Sequence, residues 1–137
     1  SVLEQDASEA FWQDVRDIAM LDETAEQVWK LSVAPSVVSD VINMITAQTS
    51  IRFFCDWAGG LVMLSGAGDG LNQIMRSAVE AHGGGHASLL RAPDTMRAAI
   101  SSFHPQPAAL AGLHDRIRDS FDPLHLLNPG KMGPALT

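Results

Sequence analysis

Cysteine is almost missing from this chain: Cys55 stands alone among 137 residues. A single thiol excludes an internal disulfide framework and leaves no cysteine-based zinc site. Long apolar runs are missing as well, and no stretch approaches the ~20 residues that a membrane-crossing helix needs. Ser1–Asp14 carries no secretory-leader pattern. The expectation is a protein of a reducing, cytoplasmic compartment with no membrane insertion. Basic residues are scarce, 9 Lys and Arg against 16 Asp and Glu, and they form no basic patch. A net charge of −7 repels phosphate backbones, so no nucleic acid is expected as a partner. There is no internal repeat and no low-complexity segment.

What is present is an ordinary globular composition, 46% hydrophobic and 18% charged, enough for one domain with its own core. The charge is unevenly spread. Residues 1–26 hold Glu4, Asp6, Glu9, Asp14, Asp17, Asp22, Glu23 and Glu26 against Arg16 alone, whereas 27–137 balances acids with bases. That acidic head reads as a solvated helix face.

Apolar spacing predicts a helix from about Ser8, a suitable N-cap, to about Ala19, with Phe11, Trp12, Val15 and Ile18 on one stripe. Gln27–Val33 alternates, Trp29, Leu31 and Val33 against Val28, Lys30 and Ser32, and reads as a strand. Pro35 ends it, and Ser36 opens a helix carrying Val38, Val41, Ile42 and Ile45. Ser50–Trp57 alternates again, with Ile51, Phe53, Cys55 and Trp57 on the apolar side and Arg52, Phe54 and Asp56 on the other. Ala58-Gly59-Gly60 then turns the chain into a short apolar strand at Leu61–Ser65. Leu71, Ile74, Met75, Ala78 and Val79 mark an amphipathic helix, stopped by the glycines after His82. His86–Arg91 reads as a fourth strand. This β-α-β-β-α-β order is the ferredoxin-like arrangement of an α+β fold. Its two helices cover one sheet face, and the other is expected to stay free. A short helical stretch near Asp94–Ser101 and a last helix from about Pro107 to Phe121, with Leu110, Leu113, Ile117 and Phe121 on one side, follow, and 122–137 reads as an irregular tail.

Several motifs dissolve on inspection. Gly66-Ala67-Gly68-Asp69-Gly70 fails the dinucleotide spacing, because the third glycine would fall on Leu71. His82-Gly83-Gly84-Gly85 lacks the G-x-S-x-G elbow that an esterase oxyanion turn requires. His82 and His86 are separated by helix-breaking glycines and have no third ligand, so no metal is expected. Cys55 alternates with Phe53 and Trp57 and is expected to be buried and inert. The polar sheet face is more suggestive. Lys30, Arg52 and Asp56 share the parity of Phe54, and His86 or Arg91 can join them from the fourth strand. Cations beside an aromatic suit a small carboxylate, though the same residues also fit a merely solvated face.

Trp29–Val33 (W-K-L-S-V) with Pro35, then Asp56–Leu64 (D-W-A-G-G-L-V-M-L), Gly84–Pro93 (G-G-H-A-S-L-L-R-A-P), Phe103-His104-Pro105 and Phe121–Met132 (F-D-P-L-H-L-L-N-P-G-K-M) form an ordered series. This series resembles the C-terminal, or cap, region of the FAD-binding subunit of glycolate oxidases, within the FAD-linked oxidases of the vanillyl-alcohol-oxidase type. The D-P-x-x-x-L-N-P-G-K ending is shared across that superfamily, while D-W-x-G-G and G-G-H-A-x-L-L-R-A point to this subunit. The resemblance implies a cap over residues 27–121 and a tail over 122–137 that returns to an FAD domain, with the acidic helical segment over 1–26 ahead of them.

It further implies oxidation of glycolate, a small 2-hydroxy acid, to glyoxylate, with hydride passing to FAD and electrons leaving through an iron–sulfur subunit. FAD belongs to the full-length subunit; none is expected to bind this chain tightly, nor is turnover expected of it alone. The implied partners are the FAD domain of the same subunit and the other oxidase subunits, which would also provide any attachment at the inner membrane. Asn128 and Lys131 match the tail motif and are the candidates for contact with the flavin or its domain. Arg52, His86 and Arg91 are the substrate-side candidates, by position in their motifs. A related catalytic subunit holds a metal in an H-x-G-D-G-N-x-H pattern, whose histidines are missing at Gly66–Gly70. A non-catalytic ferredoxin-like module for binding or subunit assembly remains the alternative.

Overall fold

The structure, a computed structural model, describes residues 4–21 and 24–127. Helix α1 (Gln5–Asp17) leads into strand β1 (Gln27–Ser32), helix α2 (Val38–Thr46), and the hairpin β2 (Arg52–Asp56) and β3 (Leu61–Gly66). Helix α3 (Leu71–Ala81), strand β4 (His86–Arg91), and helices α4 (Asp94–Ala99) and α5 (Ala108–Phe121) follow. The four strands form one sheet in the order β2-β3-β1-β4, and every neighbouring pair is antiparallel. This is the expected ferredoxin-like α+β arrangement.

Alternation along the central strand decides where the core lies. Trp29 and Leu31 have no exposed surface, and they meet Val41, Ile42 and Ile45 from α2 and Leu71, Met75, Ala78 and Val79 from α3. The α3 residues recur at i, i+4, i+7 and i+8, which is one helical stripe. Val62 and Leu64 of β3 and Ala87 and Leu89 of β4 complete this layer. Two glycines are required by close approach. Gly59 (φ +94) packs against Val38 and Pro35, and Gly85 (φ +134) passes so near the Ser32 carbonyl that any Cβ would collide with it.

The opposite sheet face is not free, as alternation had implied. Helix α1 starts a turn earlier than Ser8, at Gln5, after Glu4, which makes no side-chain cap bond. It ends on Ile18 in the left-handed conformation, whose N–H reaches back to Asp14 and Val15 carbonyls. This reversal lays Leu21 on Val28 and Met63, with Ile18 and Phe54 alongside, and creates a second, small core. The upstream part of α1 gains no such cover, and Phe11 and Trp12 stay exposed in an edge-to-face pair.

Helix α5 likewise buries no residue. Its stripe of Leu110, Leu113, Ile117 and Phe121 is exposed. Past its end, the Asp122 carboxylate accepts from the N–H groups of Leu126 and Leu127, at 3.0 and 2.8 Å. These bonds favour the charged form and hold the Asp122 carboxyl below its ordinary range.

Truncation should separate the buried core from the exposed helix. Leu31→Ala is expected to lower unfolding stability by about 2–5 kcal/mol, through lost burial and a residual cavity. Leu113→Ala should change it by no more than about 0.5 kcal/mol. Urea denaturation followed by tryptophan fluorescence measures both.

Candidate functional site

Strand register determines which polar side chains share the second sheet face. Arg52 pairs with Ser65, Ser65 with Val28, and Val28 with Arg91, so one row crosses all four strands. The next row is Phe54, Met63, Lys30 and Ser88, and the third is Asp56, Leu61, Ser32 and His86. Lys30, Arg52 and Asp56 therefore lie on one face, as their parity predicts, and both His86 and Arg91 join them there. They do not converge. Arg52 and Arg91 sit on opposite edge strands, about 14 Å apart at three strand spacings. His86 lies at the far end of β4 from Arg91. The apolar group of Leu21, Val28, Met63 and Phe54 occupies the ground between them.

Arg91 owes its position to an irregularity. The β1–β4 register shifts between Val28 and Trp29, so that β4 spends one extra residue there and Arg91, rather than Leu90, stands opposite Val28. Without that bulge Arg91 would turn toward the helix layer. It instead borders a shallow cleft of about 430 Å³, lined with Asp17, Ile18, Val28 and Leu90. One cation, one carboxylate and three apolar side chains around such a cleft can hold a small polar molecule by one charged end.

At the other end of β4 a different group gathers. The segment 101–104 runs along the outer edge of β4, where Leu89 N–H donates to the Ser102 carbonyl at 2.8 Å. Ala87 N–H donates to His104 Nδ1 at 3.4 Å, and His104 Nε2 faces the Glu80 carboxylate at 3.5 Å. Arg76 secures the same segment, donating to the carbonyls of Ser101 and Phe103 at 2.6 and 3.1 Å. Its guanidinium also lies over the Trp29 ring, 5.8 Å from the centroid. His86 faces His104 edge-on, with 6.1 Å between ring centres. The hydrogen-bond pattern assigns His104 as a neutral ring that accepts at Nδ1 and carries its proton on Nε2. Burial pushes its pKa down, and the positive charge of Arg76 and the neighbouring His86 act in the same direction, against an upward pull from Glu80.

Sequence reasoning did not find this clasp. Arg76 and Glu80 stand one helical turn apart on α3 and belong to no motif, and His104 entered only as part of the Phe103-His104-Pro105 motif. The other metal candidate, His82, bonds through Nδ1 to the Ala78 carbonyl at 2.8 Å, which ties it to the end of α3.

Cys55 requires a correction. It faces the helix layer, opposite Val62, but it is exposed, because β2 is an edge strand. Partial desolvation pushes the thiol up, away from the thiolate that nucleophilic chemistry needs. Phe53, predicted for the same buried side, is 44% exposed, and Trp57 is 74% exposed at the turn.

The glycine loop is already occupied by the protein itself. Gly68 N–H donates to the Glu26 carboxylate at 3.0 Å, and the Gly68 carbonyl accepts from Gln27 Nε2 at 2.9 Å. The quoted motifs have visible structural duties: Asp56 caps the β2–β3 turn by accepting from Trp57 N–H at 2.7 Å, Gly59 and Gly85 allow close packing, and Asp122 orders the turn after α5. Asn128 and Lys131 lie outside the described residues.

No protein-family model, no curated protein and no solved structure matches this chain.

The lowered pKa of His104 has a definite sign. Its unfolded form takes up a proton near the ordinary imidazole value, about 6.5, while the folded ring resists it until lower pH. The unfolded state therefore binds more protons in that window, and stability falls as pH drops through it. Urea midpoints between pH 8 and pH 5 should show this acid-side loss in the native chain. His104→Phe, which has no proton to gain, should flatten that loss; an unchanged slope would assign it to other groups.

Proposed function

We propose that this chain is the cap, or substrate-side, portion of an FAD-dependent oxidase subunit acting on glycolate or a closely related 2-hydroxy acid. The observation that carries the reading is the ordered motif series from Trp29 to Met132, above all D-W-x-G-G and G-G-H-A-x-L-L-R-A. The ferredoxin-like sheet supports it, since a cap of this kind presents one sheet face to a cofactor domain.

The described residues do not fit FAD by themselves. The one glycine-rich loop before a helix has its Gly68 amide bonded to Glu26, and Asp69 adds further negative charge beside it. A pyrophosphate would meet repulsion there. The flavin would be held by another domain, and the redox chemistry would be its own. This chain's contribution is then to hold the substrate carboxylate and keep water from the reacting face.

Among the candidates, Arg91 suits that duty best, because the bulge turns it to the second face beside the cleft. Arg52, on the opposite edge strand, cannot engage the same small acid. Lys30 stands in the next row on the neighbouring strand and is not among the described residues that line the cleft, and His86 belongs to the group around His104. The reading carries a cytoplasmic location with partner subunits, including an iron–sulfur subunit; no helix among the described residues is long and apolar enough to cross a membrane.

A second reading, a non-catalytic assembly module, draws on the exposed apolar stripe of α5 and the dispersal of the cationic side chains. Kinetics of the subunit with its flavin domain separate the two. Losing a charged bond to the carboxylate should raise KM for glycolate about 10–100-fold in Arg91→Ala, while Arg52→Ala changes it less than about threefold. Unchanged turnover in both, with loss of complex assembly, would favour the module. The chain of 137 residues alone should show no stoichiometric flavin absorbance; bound flavin at one equivalent would overturn the cap reading.

A further inference from the structure

The two edges of the sheet are treated very differently. The outer edge of β4 is covered, with the amides of Ala87 and Leu89 taken up by His104 and Ser102. It also carries a bulge, one of the devices that keep a strand edge from pairing with another chain. Among the described residues, the outer edge of β2 has neither protection. Its register with β3 runs unbroken from Arg52 to Asp56, and it contains no proline and no lysine. Among the described residues, no backbone group outside β3 bonds to the main chain of Arg52–Asp56. Its middle is Phe53-Phe54-Cys55, with Phe53 44% exposed and Cys55 exposed. A five-residue edge with an apolar middle, left open in this way, is a template for another strand.

The strand is also complementary to itself. When two copies of Arg52-Phe53-Phe54-Cys55-Asp56 run antiparallel about a two-fold axis at Phe54, Arg52 stands opposite Asp56 of the second copy, and Asp56 opposite its Arg52. Phe53 then faces Cys55 of the other strand on the helix side, a sulfur–aromatic pairing, and the two Phe54 rings meet on the opposite side. This places opposite charges at both ends and apolar groups in the middle. Any register moved by one residue loses both charge pairs. Beyond the paired strands, Trp57, 74% exposed and held with φ +51 by the Asp56 cap, comes to the end of the ladder beside Ile51 of the second copy.

We propose that the β2 edge pairs with a second copy of this chain, joining two four-stranded sheets into one continuous eight-stranded sheet. The interface is isologous, so each contact occurs twice. This pairing leaves the Arg91 cleft, on the far edge strand, untouched.

Sedimentation equilibrium of the full chain at roughly 100 μM should give twice the 14.7 kDa of one copy. Arg52→Asp sets two pairs of like charges against each other and should weaken association at least about tenfold. Asp56→Arg should do the same, and Arg52→Asp combined with Asp56→Arg should restore the dimer. Circular dichroism checks that each variant is folded. The register has its own test that does not depend on charge. Phe54→Cys with Cys55→Ser places two thiols directly opposite, about 4.5–5.5 Å between Cβ atoms, and should form a covalent dimer on mild oxidation. The native Cys55 pair is diagonal, about 7–8 Å apart, and should not. A monomer at that concentration, a dimer indifferent to Arg52→Asp, or efficient cross-linking through native Cys55 would each overturn the proposal.

Discussion

Trp29 lies at the centre of the sheet with no exposed surface, so its indole N–H must find a partner inside the protein. It donates to Gln27 Oε1 at 3.1 Å, from a residue two positions earlier on the same strand face. Gln27, itself buried, spends its amide on the Gly68 carbonyl, which holds the loop before α3. Arg76 covers the ring from α3 and reaches on to the carbonyls of Ser101 and Phe103. One large side chain thus ties together the central strand, the glycine loop, a helix and the segment that seals β4. Much of what surrounds the core follows from satisfying that indole and packing its ring.

The same dependence explains why parts of the fold were legible and others were not. Central strands write their environment into alternation, because both neighbours and the helix layer constrain them. Trp29, Leu31 and Val33 therefore announced their face correctly. Cys55 and Phe53 obey the same period, but alternation reports the face on which a side chain lies, and cover depends on what sits above it. On an edge strand the helices do not extend far enough, so the apolar pattern persists without burial. Leu21 failed to register for the opposite reason. A lone leucine before a polar stretch carries no period, and its burial depends on the left-handed residue at Ile18 folding it back.

The polar face shows where sequence parity reaches its limit. Parity put Lys30, Arg52 and Asp56 on one side, with His86 or Arg91 to join them, and all five are there. Convergence is a matter of strand order and register, which place Arg52 and Arg91 at opposite borders. For Arg91 even the face is decided by a bulge that no local pattern in His86–Arg91 reveals. The motif residues that look most chemical in one-letter code, Asp56, Gly59, Gly85 and Asp122, are occupied with turns and close packing, where the backbone leaves little choice.

The strap along β4 has a consequence for growth. A sheet with two open borders can add strands at either side without limit, which is the geometry of fibres. Here Ser102 and His104 have taken up the donors on one border, so strand addition has a single end at which to begin. Whatever joins at β2 completes the sheet there, and the seal on β4 makes it a terminated object rather than a polymerising one.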